Sequence, residues 1–374
     1  MSEDIRPFRI EISDDELHHL HARLADARWP DRTPGEGWSR GVPAEHLRAL
    51  ADHWRTGFDW RAQEARLNRY PQFTTEIDGQ RIHFLHVRSP HLDAKPLLIT
   101  HGYPSSVAEF LLMIDPLVDP ADGQAFHLVV PSLPGYAFST PLSDAGWAMG
   151  RTANAWAELM RRLGYERYGL HGGDVGGGVS GMVATHDEAH VIGVHVVTDP
   201  LTAAAVATFM PGLADHLDPD DPVDKLIRQR MDAFTNDGSG YLAIQNTRPQ
   251  TIGYGLVDSP LLQLAWIAEK VHEWTDLPVD DDLLLTNVSI WWFTRSGISA
   301  AHTLWEQAHS MDWGAPASVP QGLAIFGADE TMGKLMPVPE GSHRSEFARG
   351  GHFPALEAPR ELVADLRAFF GPLT

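Results

Sequence analysis

Cysteine is absent from this 374-residue chain. That removes disulfides, thiolate metal sites, iron–sulfur clusters and cysteine nucleophiles from consideration. Lysine is confined to Lys95, Lys225, Lys270 and Lys334. Positive charge is scarce as a whole: 29 Lys and Arg stand against 50 Asp and Glu, a formal net charge of -21. Nucleic-acid surfaces need clustered positive charge. The balance therefore argues against nucleic acid, an anionic membrane surface or a strongly anionic substrate as the main partner. No apolar run approaches the roughly 18 residues of a membrane span. The first residues, MSEDIRPFRIEISDDELHHL, lack the basic start and apolar stretch of a signal peptide. The expectation is a cytoplasmic protein. Repeats and low-complexity tracts are missing too, and the 43% hydrophobic content suits a globular protein.

The periodicity changes along the chain. Near the N-terminus, Ser13 and Glu16 have capping-box spacing, and Leu17, Leu20 and Leu24 follow at helical intervals up to Trp29-Pro30. A second helical pattern opens near Pro43 and carries Leu47, Leu50, Ala51 and Trp54. Then TTEIDGQRIHFLHV alternates around Asp78-Gly79, which reads as a hairpin. Short apolar runs follow at 96–100, 127–131, 168–171 and 191–197, with helical stretches between them. Such alternation implies a mostly parallel twisted sheet with helices on both faces, an α/β fold. It stops near Pro200. The next stretch, to about 316, is helical and Trp-rich; strand signals return at 323–326 and 346–349, before a last helix from Pro359 to Phe370. The expected organisation is an N-terminal helical extension (1–90), a first core part (91–199), a helical cap (200–316) and a second core part (317–374).

The stretch YGLHGGDVGGGVSGMVATH carries the most chemistry. A strand runs into Gly172-Gly173-Asp174-Val175-Gly176 and a helix follows. This is the small-x-nucleophile-x-small elbow of an α/β-hydrolase, with Asp174 in the nucleophile position. A plain glycine-rich turn capped by Asp174 would show the same letters, so the rest of the chain has to decide. His101-Gly102-Tyr103-Pro104 follows the strand PLLIT, where a backbone N–H of Tyr103 would join that of Val175 in holding an oxyanion. The strand LAIF ends near Asp329-Glu330, either of which offers a carboxylate, Asp329 being the first choice. His352 follows two glycines ahead of the last helix. The order nucleophile, acid, histidine is the one this fold requires. An Asp nucleophile suits attack on saturated carbon in an epoxide or alkyl halide and gives an enzyme ester; His352, oriented by Asp329, would activate water as a general base.

With these motifs in place, the chain resembles the microsomal-type epoxide hydrolases and their bacterial and fungal relatives over nearly its whole length. RPFRIEISDDELHHLHARLADARWP resembles their N-terminal signature, HGYPSSVAEF their HGWPGS-type segment, GGDVGG their GGDWGG, and RGGHFPALEAP their histidine segment. GSGYLAIQNTRPQTIGYGLVDSPLLQLAWIAEK resembles their cap segment. The resemblance implies a cofactor-independent, metal-free hydrolase of a hydrophobic or aromatic epoxide, with a homodimer plausible for the family. It also implies two cap tyrosines that protonate the epoxide oxygen. Tyr241 matches the first. Leu304 occupies the register of the second, which leaves Tyr254, His302 and Trp305 as replacement donors or pocket residues.

Two other functions stay open on the sequence. A haloalkane dehalogenase shares the Asp elbow but often has a Trp after it, where this chain has Val175. A ligand-binding protein that retains the fold would explain the missing second tyrosine, but has no need of Asp174, Asp329 and His352 together. The pair His186 and His190 has i, i+4 spacing without the H-E-x-x-H pattern of a zinc site.

Overall fold

The structure is a computed structural model that describes residues 4–31, 37–209, 212, 216–310, 317–338 and 341–374. The expected boundary at 316 falls in 311–316, outside the described residues.

Strand formation follows the apolar runs. The strands are β1 (Arg6–Phe8), β2 (Gln72–Ile77), β3 (Gln80–Val87), β4 (Lys95–Thr100), β5 (Phe126–Pro131), β6 (Tyr168–Gly173), β7 (Val191–Thr198), β8 (Gln321–Phe326) and β9 (His343–Phe347). They make one sheet in the order β1-β2-β3-β5-β4-β6-β7-β8-β9. The ladder is parallel from β5 to β9, and antiparallel among β1, β2, β3 and β5. The β2–β3 turn uses positive φ at Asp78 (50°) and Gly79 (78°), which makes it a tight hairpin of the twist-compatible kind. β1 and the helix Trp60–Leu67 have no clear sequence signal. β1 is three residues long and pairs only at the sheet edge.

Alternating side chains of the central strands feed two cores. Leu98, Val129 and Leu170 point to one layer, where Trp54 and Trp156 also pack; Leu97, Ile99, Leu128 and Val130 point to the other, with Leu362 and Leu366 of the helix Pro359–Phe370. Each side chain so buried contributes about 1.5–3 kcal/mol. The N-terminal helices Asp14–Ala25 and Ala44–Thr56 lie in the first layer, and Trp54 Nε1 donates to Ser289 Oγ at 2.8 Å. Ser13 caps the first of them by accepting from the Glu16 amide.

Between β7 and β8 the described chain is helical. Pro200–Thr208, Pro222–Ala233, Pro249–Asp258 and Pro260–Trp274 each begin on a proline, whose missing N–H costs nothing in a first turn. Gly240–Thr247, Asp281–Thr294 and Ser296–His309 complete the layer. Among the described residues no helix is long and apolar enough to cross a membrane.

Candidate active site

In parallel sheets, ligands gather beyond the carboxyl ends of the strands, and the chemistry-bearing residues do so here. β6 ends at Gly173, and Asp174 opens the helix Asp174–His186 at φ 52°, a left-handed conformation that a non-glycine residue adopts only under constraint. The constraint is packing by glycines. A Cβ on Gly176 would strike the Thr100 carbonyl oxygen, and one on Gly102 would sit 2.6 Å from Asp174 Cβ. No other residue type lets β4, the Gly102 turn and this helix close around the carboxylate.

Asp174 is held from two sides. The Tyr103 amide donates to its Oδ1 at 2.8 Å, and His352 Nε2 lies 3.7 Å from its Oδ2. Val175, the next residue, lies in the helix's first turn, where backbone N–H groups have no intrahelical acceptor. Of the expected pair of oxyanion donors, the Tyr103 amide touches the carboxylate, and the Val175 amide lies in the free first turn of the helix. His352 follows β9, and its own amide donates to the Trp274 carbonyl at 2.8 Å, tying the histidine loop to the helix Pro260–Trp274.

The acid expected from the sequence is displaced. Asp329 does not contact His352. Its Oδ2 accepts from Arg230 at 2.6 Å, and its Oδ1 accepts from the Thr331 hydroxyl (2.5 Å) and amide (2.9 Å). Burial opposes ionisation of Asp329, but Arg230 and Thr331 outweigh it and hold the carboxyl below its ordinary range. Glu330 is exposed. Instead, the Nδ1 side of His352 faces Thr202 Oγ1 at 2.7 Å and Asp199 Oδ2 at 3.5 Å.

An aromatic run encloses the site. Tyr241 stacks on Tyr103 (5.7 Å between ring centres), meets Trp274 edge-on (5.3 Å), and Trp274 lies 4.9 Å from His352. Burial, then the Asp174 charge, push the Tyr241 phenol well above its ordinary value, so it stays protonated. Lys270 Nζ lies 5.1 Å from the Tyr241 ring centre, a cation against the phenol's π face. Leu304 lines a narrow cleft with Val175, Tyr136, Trp147, Met149, Thr303 and Gln307. The other expected pocket residues lie elsewhere. Tyr254 is 65% exposed, and it shares Gln250 with His302: the Gln250 amide donates to Tyr254 Oη at 3.0 Å, and Gln250 Oε1 lies 3.0 Å from His302 Nε2. Trp305 stacks on His309 at 4.1 Å. None of the three is among the residues lining that cleft.

Asp199, Thr202, Tyr136 and Glu109 were not among the site residues expected from the sequence. Tyr136 is 1% exposed, and its hydroxyl makes no well-formed hydrogen bond; its neighbour is the Thr303 hydroxyl, which donates to the Ala300 carbonyl at 2.7 Å and keeps its acceptor side toward Tyr136. Burial raises the Glu109 carboxyl to about 7, against a Ser105 hydrogen bond and the His352 charge. The signal for Asp199 was present in Thr198-Asp199-Pro200, a carboxylate at the end of a strand beside β6.

His352 feels all of these charges. Burial works to lower its pKa; the Asp199 interaction and the charges of Asp174, Asp199 and Glu109 outweigh burial and leave it above the ordinary 6.5. In the ligand-free enzyme the His352 ring is expected to titrate above 6.5 by NMR. In Asp174→Ala its midpoint is expected to fall, because one anion is gone.

Away from this site, His195, His343 and Asp365 bring potential metal-ligand atoms within 4.8 Å of one another. The ring nitrogens that would ligate are the ones bonded to Asp365, each at 2.8 Å, and Ser345 adds a third bond. The donor set is thus satisfied internally. His186 Nδ1 bonds Asn154 and His190 Nδ1 bonds Asp187.

Known proteins share this sequence pattern and fold. A family model described as the epoxide hydrolase N terminus matches residues 5–110, and one for the alpha/beta hydrolase fold matches 95–234. A putative epoxide hydrolase of Stigmatella aurantiaca is 41% identical over 99% of this chain and 85% of its own length. Epoxide hydrolase 1 of Sus scrofa is 33% identical over 99% of this chain and 89% of its own. The structure of the Aspergillus niger epoxide hydrolase superposes with a TM-score of 0.80 at 32% identity, over 99% of this chain and 97% of that one.

Proposed function

We propose a mechanism from one premise: the chain belongs to the epoxide hydrolase family and converts an epoxide and water to a vicinal diol. Asp174 is the nucleophile. One carboxylate oxygen attacks an epoxide carbon, the C–O bond breaks, and the ring oxygen takes a proton as the alkoxide forms. The product is an Asp174 alkyl ester. His352 Nε2 then removes a proton from water, which attacks the ester carbonyl. The tetrahedral oxyanion rests on the Tyr103 and Val175 amides. Collapse breaks the ester C–O bond, and the new Asp174 carboxyl gives its proton to the departing alkoxide to complete the diol. The proton held by His352 returns to the phenolate that opened the ring. The observation that carries this reading is the Asp174 carboxylate on its strained elbow, with an amide at 2.8 Å on one oxygen and an imidazole at 3.7 Å from the other.

Tyr241 supplies the proton to the ring oxygen. A phenol that stays protonated donates only as negative charge develops, which favours the transition state over bound substrate. For the second donor we assign Tyr136, whose buried hydroxyl makes no well-formed hydrogen bond, in the cleft that Leu304 lines. The aromatic and aliphatic surroundings favour hydrophobic or aromatic epoxides, with no metal or organic cofactor in any step.

The test is isotopic. In a single turnover with excess enzyme in ¹⁸O-water, the first diol is expected to carry unlabelled oxygen, and the label is expected in the Asp174 side chain by peptide mass spectrometry. Label appearing directly in the first diol would mean that water attacks the epoxide without an ester.

A further inference from the structure

We infer that Asp199, acting with Thr202, is the acid that orients His352, in place of the carboxylate at the end of β8. The inference rests on His352 being the base of the second step.

The topology favours it. β7 lies between β6, which carries Asp174, and β8, which leads to Asp329. Asp199 follows the last residue of β7, one strand from the nucleophile; Asp329 is two strands away. Asp199 is 4% exposed and fixed as the cap of the helix Pro200–Thr208, its Oδ1 accepting from the Leu201 amide at 2.8 Å and the Thr202 amide at 3.0 Å. Those two bonds leave Oδ2 turned to the Thr202 hydroxyl, with which it makes a short hydrogen bond, and to His352.

The proton positions follow from the donors present. At 3.5 Å, Asp199 Oδ2 is within ion-pair reach of Nδ1 but too far for a strong direct hydrogen bond. Thr202 Oγ1 closes the gap at 2.7 Å. The threonine hydroxyl donates to the carboxylate, so it accepts from Nδ1–H. That fixes the imidazole tautomer with its lone pair on Nε2, the atom facing Asp174. When Nε2 takes the water proton, the imidazolium charge sits beside a buried anion. Burial opposes ionisation of Asp199, yet the nearby His352 ring and the Thr202 bonds hold its carboxyl below the ordinary range.

Asp329 is not free to serve. Moving it toward His352 would break its bond to Arg230, whose guanidinium also donates to Thr331 Oγ1 at 2.9 Å. Its geometry is that of an anchor between the helix Pro222–Ala233 and the loop after β8.

The experiment separates ester formation from ester decay, using styrene oxide, rapid quench and intact-mass detection. Asn caps helices as well as Asp does, so Asp199→Asn keeps the cap while removing the charge. It is expected to form the ester at near the parent rate and to hydrolyse it about 10³–10⁴-fold more slowly, by analogy with loss of the acid charge in a serine triad. The acid midpoint of ester decay is expected to drop by about one unit or more. Thr202→Val is expected to slow decay and Thr202→Ser to restore it. Asp329→Asn is expected to leave decay within about threefold of the parent. Slow decay in Asp329→Asn with normal decay in Asp199→Asn would overturn the assignment. So would an equal loss of both steps in Asp199→Asn with an unchanged pH midpoint, which is the signature of a helix cap alone. Normal ester decay in His352→Gln would instead remove the base itself, and this inference with it.

Discussion

Asp174→Ala is expected to abolish turnover, by about 10⁴–10⁶-fold in kcat, because no other described carboxylate stands where the Tyr103 amide can hold it at 2.8 Å. His352→Gln should fail differently. It lacks the base for the second step but keeps Asp174 and its amide donor, so the first step proceeds and stops. Mixing the variant with styrene oxide is expected to add the mass of one substrate to the protein, localised to the peptide bearing Asp174. Asp174→Ala is expected to show no such adduct. Residual turnover in Asp174→Ala near the parent rate would remove the covalent route altogether.

The second large effect concerns the leaving oxygen. Tyr241→Phe is expected to lower kcat by about 10²–10³-fold, the loss typical of one preorganised donor. The loss should be greatest for unactivated aliphatic epoxides and smaller for benzylic ones, where positive charge on carbon lessens the need for acid. Tyr136→Phe should show the same substrate dependence with a smaller loss, and the double variant should fall below either one. Leu304→Tyr would put a phenol into the cleft shared by Tyr136 and Val175, with a gain expected on aliphatic epoxides. An effect of Tyr241→Phe confined to KM, equal for all substrates, would make Tyr241 a wall of the pocket and not a proton donor.

The elbow was legible in the sequence because its constraint is local. Glycines on both sides of Asp174 are what a positive φ and a close β4 contact demand, and no distant residue is needed to see it. The hairpin at Asp78-Gly79 and the helix capped by Ser13 were legible for the same reason. The acid was not. Asp199 and Asp329 both follow strands and both precede His352 in the chain, so order cannot separate them. What separates them is Arg230, about 100 residues from Asp329 in sequence and 2.6 Å from it in space. Tyr136 was hidden by its setting, since Pro134-Gly135-Tyr136 reads as a turn and nothing local says that it lines a cleft. Tyr254, His302 and Trp305 were attractive by residue type alone; Gln250 and His309 claim them.

The 3.7 Å gap between His352 and Asp174 also acts as a clock. While the carboxylate is free, its charge favours a proton on the imidazole, and a protonated ring is a poor base. In the proposed route, attack on the epoxide turns that carboxylate into a neutral ester and withdraws the charge. The ring's proton affinity then falls at the moment when a base is first required. No hinge need move for this: the first bond made removes one of the anions that raise the proton affinity of the ring. Asp199 and Glu109 keep their hold on the ring throughout, so the step-to-step change in its basicity comes from Asp174 alone.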